Sequence, residues 1–301
     1  MALPPAGATG REAEDAAWFE LAGRSGAPIQ ASPVYKMRIS GPAPSGLTAI
    51  PKDLRPSNRE RGEAILNGKW RFGAPPVEQL PVHAPWAPPF PSRRFADRTH
   101  RCHWLRDVAS FGTPGEARAR ALAVAWSETF GKWENFAWRL GVTADRVVNL
   151  LCAGPWLFGS LQPESKVSLL DSLGRQVRHL QSSAVDECDP NARFRIGVAL
   201  ALAGGALEDN RKALEAGLHM LEAECAAQIL ADGGHASRSP EALAEALLDI
   251  QTVEELLLRV GVAAPAFLTR LQPRMAAMLS FFSLPDGGLL VANGGGDASG
   301  G

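Results

Sequence analysis

From about residue 97 onward, helix after helix in this chain opens with the same device, a capping residue followed by proline at the first helical position. Asp189 with Pro190, Ser239 with Pro240 and Gln162 with Pro163 are starts of this kind, and Thr113 and Pro114 with Glu116 read as a capping box. Apolar residues then recur at spacings of three and four. Val167, Leu170, Leu173, Val177 and Leu180 form one set, Leu214, Leu218, Leu221, Cys225 and Ile229 a second, and Leu243, Leu247, Ile250, Val253, Leu257 and Val260 a third. That period gives each helix one apolar stripe, which water excludes, so the helices must cover one another. The stretch from Pro265 to Phe282 supplies a last helix. Roughly eight helices joined by short turns, with no fixed repeat, predict an all-α fold, either a helical array or a toroid of helical hairpins.

The remainder of the chain reads differently. Residues 1–56 are rich in Pro, Gly, Ser and Ala and read as an extended N-terminal arm, with a short strand expected through Val34 to Ile39. Residues 57–96 hold a short helix around Arg59 to Leu66, a strand-like Lys69, Trp70, Arg71, Phe72, and a Pro-rich connector from Pro75 to Pro91. Residues 97–284 are the helical domain. Residues 285–301 read as the start of a β segment, Leu289 to Ala292, followed by a glycine-rich tail.

Composition excludes several partners. Thirty-one Lys plus Arg against 32 Asp plus Glu leave a formal charge of -1, so no bulk field draws the chain to nucleic acid or to an anionic surface. No apolar run approaches the roughly 18 to 20 residues that a spanning helix needs, so no membrane span is expected. The first residues lack the basic and apolar regions of a secretory signal, which predicts a cytoplasmic protein, with the cell envelope as the alternative. Cys102, Cys152, Cys188 and Cys225 lie far apart and read as reduced, mostly buried thiols. There is no Walker loop and no Gly-x-Ser-x-Gly elbow, and no cofactor and no metal are expected. His100 and His103, three apart on one expected helix, are the nearest approach to a metal pair.

One turn stands out chemically. Asp232, Gly233, Gly234, His235, Ala236, Ser237, Arg238, Ser239, Pro240 follows one long helix and opens another, placing His235 and Arg238 beside a helix N-terminus, where free N–H groups favour an anion. The other reading is a plain helix-to-helix turn in which His235 satisfies a carbonyl. The eight tryptophans also read two ways: Trp126, Trp133 and Trp138 are either core or sugar-stacking walls. Trp104, flanked by His103 and Arg106, reads as an exposed ring beside a cation, the most ligand-like of the eight.

The Asp-Gly-Gly-His turn with its following Ser-Pro resembles the helical domain of the heparinase II/III-like polysaccharide lyases. Asn67, Gly68, Arg71 and Phe72, the connector near Trp86, the stretch His103 to Asp107 and the tail from Asn293 to Gly296 are similar to bacterial members. The resemblance runs from about residue 25 to the end of the chain. It implies an incomplete (α/α) toroid with a C-terminal β-sandwich that is missing or only begun here, and an acidic polysaccharide in the cleft. It also implies β-elimination, in which a base takes the proton α to a uronate carboxylate, a second group stabilises the enolate and an acid protonates the leaving oxygen. In the family pattern a tyrosine followed by histidine lies two residues after the Ser-Pro proline. Here those positions are Ala242 and Leu243, and the chain has a single tyrosine, Tyr35. Asn191 stands near the family's neutralising position, but Ala192 follows it instead of histidine, and Asn191 also reads as a helix-start residue.

Two functions follow as expectations. The first is a heparinase II/III-like lyase, with His235, Arg238 and Asn191 as catalytic candidates and Trp104, His103, Arg106 and Trp138 as substrate contacts, its competence in question without the tyrosine. The second is a non-catalytic helical scaffold for an envelope glycan or a protein. Convergence of His235, Arg238, Trp104 and Arg106 on one groove supports sugar binding; a leucine-lined groove supports a protein partner.

Overall fold

The computed structural model describes residues 30, 32–70, 72, 86, 90, 92–208, 210–284 and 288–293. The expected features at residues 1–29, most of the Pro75–Pro91 connector and Gly294–Gly301 lie outside them. The described helices are α1 (Pro33–Ile39), α2 (Arg59–Leu66), α3 (Arg93–Arg101), α4 (Trp104–Ala109), α5 (Thr113–Phe130), α6 (Leu140–Cys152), α7 (Gly154–Phe158), α8 (Pro163–Ser183), α9 (Pro190–Ala206), α10 (Arg211–Gln228), α11 (Pro240–Arg259) and α12 (Ala266–Phe281). Among the described residues there is no sheet, only three isolated antiparallel bridges. The fold is all-α, as the helix starts predict, and of the two arrangements they left open it is the toroid that the family resemblance implies.

α9 is its axis. It packs against α6, α8, α10 and α11, and its residues from Ile196 to Ala203 are buried without a break. A helix apolar all round shows no stripe, which is why periodicity passes over it although Asp189 caps it by accepting from Asn191 N at 3.0 Å. Each fully buried Leu, Ile or Val contributes about 1.5–3 kcal/mol from the area removed from water. Small residues set how closely α10 approaches. A Cβ on Gly217 would stand 2.3 Å from the Ala201 nitrogen, and one on Gly204 would stand 2.1 Å from the Leu214 nitrogen, so the hairpin closes only because both lack one.

Several local expectations are corrected. Val34 to Ile39 is helix α1, not a strand: Ser32 caps it by accepting from Tyr35 N at 3.2 Å, and proline at its first position favours the helix. Thr113 is not the cap of α5; that role falls to Gly112, whose φ of 70° an ordinary side chain would resist. Ser239 does cap α11, accepting from Ala242 N at 3.3 Å. Trp70 and Phe72 form no sheet strand; both are buried, with ring centroids 5.6 Å apart. Of the expected β start, the described residues hold one isolated antiparallel bridge, Ser283 with Leu289, beside which Leu290 N donates to Phe282 O at 2.9 Å.

The aromatic residues build a second core. Trp70, Trp86, Trp104, Phe95 and Trp126 are all buried. At its edge Arg146, wholly buried, donates to Gln176 Oε1 at 2.8 Å, to the His100 and Ala137 carbonyls at 2.9 and 2.8 Å, and to Thr143 Oγ1 at 3.2 Å. Its guanidinium lies 4.2 Å from the Trp126 ring centroid. Burial pulls its pKa down to about 10, which leaves it charged at neutral pH.

Candidate functional site

A cleft of about 470 Å³ opens where the N-terminal ends of α9 and α11 meet α3, α4 and α6. His103, Asn191 and His235 line it, so three of the expected site residues are brought together. Ala242, the position where the family pattern has tyrosine, lines it as well.

The turn that carries His235 is a miniature hairpin. Leu230 N donates to Gly234 O and Ala236 N to Gln228 O, both at 2.8 Å. Gly233 takes φ 90°, and a Cβ there would meet the Arg274 carbonyl at 2.3 Å, so this glycine is required twice over. The His235 ring is buried, and its Nδ1 accepts from Ser237 N at 3.1 Å with Ser237 Oγ at 2.7 Å. A neutral imidazole has one acceptor nitrogen, so the proton sits on Nε2 and the lone pair a general base would use is already engaged. Burial lowers its pKa, which keeps it neutral at pH 7.

Other expected residues fall elsewhere. Arg238 is exposed, does not line the cleft, and holds φ 58° to turn the chain into Ser239; its carbonyl accepts from Asn293 Nδ2 at 3.0 Å. Trp104 is completely buried, its indole donating to Thr99 O at 3.0 Å, so the exposed sugar platform expected of it is absent: its ring stacks on Trp86 and not on solvent. Trp138 is core too, donating to Phe130 O at 2.8 Å, and Trp126 donates to His100 Nδ1 at 3.1 Å. Arg106 turns away to pair with Asp53 at 3.1 Å. His100 and His103 share no face, because Cys102 at φ 60° breaks the helix between them. His100 faces the aromatic core while His103 faces the cleft.

Sequence reasoning missed the centre of the cleft. Asp145 of α6 is buried between Arg101 and Arg195, with His103 Nε2 at 3.7 Å. Burial opposes its ionisation, yet Arg195 and Arg101 hold its carboxyl far below the usual range. Arg195 of α9 also pairs with Asp249 and, at 2.7 Å, with Glu245, both of α11. Asp249 shows the opposite balance, its pKa raised by burial in spite of Arg195. His103 is driven well below its ordinary value, chiefly by desolvation, and so is neutral. The signal in the sequence was a charged residue inside an otherwise apolar helical run: Asp145 before Val147 and Val148, Arg195 between Phe194 and Ile196, Asp249 beside Ile250. Such residues almost always find a buried partner.

The cleft as a whole carries five carboxylates, on Asp145, Asp189, Glu241, Glu245 and Asp249, against three guanidinium groups, on Arg98, Arg101 and Arg195. Tyr35 takes no part in it. That hydroxyl donates to His179 Nδ1 at 2.6 Å and meets Ser183 Oγ at 2.7 Å, fastening α1 to α8.

Comparison with solved structures gives the class: the toroid has the heparinase-like helical fold. Heparinase III superposes with a TM-score of 0.57 at 17% identity, over 91% of this chain and 46% of that one. The heparan sulfate lyase HepC of Pedobacter heparinus superposes with a TM-score of 0.55 at 18% identity, over 79% of this chain and 40% of that one. Among curated proteins, the chain is 35% identical over 263 residues to FtsZ-localized protein C of Caulobacter vibrioides, covering 87% of this chain and 45% of that protein. The chain thus spans less than half the length of each. No protein-family model matches it. No described helix is long and apolar enough to cross a membrane.

Proposed function

We propose that this chain is a non-cleaving domain of heparinase-like fold, belonging to a protein that serves FtsZ-based division in the cytoplasm, and that its cleft binds a ligand without breaking it. The observation that carries the reading is the cleft's own chemistry. β-Elimination on a uronate needs a free base and a free cation for the carboxylate. In the cleft, His235 has its Nδ1 lone pair engaged, Arg195 is shared among three carboxylates, Arg101 and His103 both lie against Asp145, and Ala242 stands where the family pattern has tyrosine. The 35% identity to FtsZ-localized protein C supports the association with FtsZ.

The competing reading is a lyase with His235 as base, Arg238 pairing the uronate and Asn191 as neutraliser, acting on an acidic polysaccharide beside a C-terminal β-sandwich. Likeness of fold to the heparan sulfate lyases favours it. Incubation of the full-length protein with a panel of uronate polysaccharides decides, with ultraviolet absorbance reporting the unsaturated product. A flat trace is expected; a rise on any substrate overturns the non-cleaving reading. Co-sedimentation with FtsZ filaments is also expected, and its absence overturns the association with division.

A further inference from the structure

We draw no further inference here: the strongest candidate, the exposed apolar surface that Phe281, Leu284, Leu290 and Val291 present at the return after α12, carries none because nothing in the structure shows what covers it.

Discussion

Asp145 and Arg195 face each other 3.5 Å apart across the contact of α6 with α9, and Arg195 reaches past Asp145 to Asp249 and Glu245 on α11. One guanidinium therefore ties three helices together at the mouth of the cleft. Removing it leaves two buried carboxylates without their main counter-charge, which costs far more than the pair itself contributes. Arg195→Ala is expected to destabilise the domain by about 3–5 kcal/mol, read as a shift of the urea midpoint. A loss below about 1 kcal/mol would show that Arg101 and solvent suffice for Asp145.

Acid should unfold the protein earlier than its carboxylates alone require. Burial pushes His100 down to about 3, with Arg146 adding to the effect, and pushes His179 down to about 4 against the Trp138 carbonyl that favours its charged form. Both folded-state values lie below the unfolded value near 6.5, so the unfolded chain takes up protons first and stability falls as pH drops through 6.5 toward 4. Between pH 7 and pH 5 each histidine is expected to cost about 2 kcal/mol. Chemical denaturation at the two pH values checks this, and His179→Gln should remove about 2 kcal/mol of the dependence, leaving the shares of His100, His103 and His235.

Gly217→Ala places a methyl 2.3 Å from the Ala201 nitrogen on the facing helix. Neither backbone can yield without opening the α9–α10 hairpin. A loss of about 2–3 kcal/mol is expected in thermal unfolding, as for an overpacked core, although alanine is the better helix former. A neutral or stabilising result would mean that α10 slides freely along α9.

Tyr35→Phe removes a buried hydroxyl that sits between His179 and Ser183. The ring still packs, but His179 Nδ1 and Ser183 Oγ lose their partner, at about 1–3 kcal/mol. If the chain's one tyrosine is an anchor for α1 alone, urea denaturation shows this loss while affinity for the cleft ligand is unchanged. A change in ligand affinity would count against that separation.

What could be read from the sequence and what could not divide along a physical line. Helix starts such as Asp189–Pro190 and Ser239–Pro240, and the stripes of α8, α10 and α11, are local: caps satisfy the same helix's N–H groups, and a 3.6-residue period needs no partner to be visible. So the all-α class was legible, as was the turn bearing His235, while the choice of a toroid over a helical array came from the family resemblance. The environment of each side chain was not. Trp104 beside His103 and Arg106 reads as an exposed platform, yet the ring packs under Trp86 while its neighbours turn toward Asp145 and Asp53, because exposure depends on which helix lies above. The central α9 showed no stripe, since the tertiary structure surrounds it. Asp145, Arg195 and Asp249 come from helices far apart in the chain, and only their packing turned three isolated charges into one cleft whose balance is set by who neutralises whom.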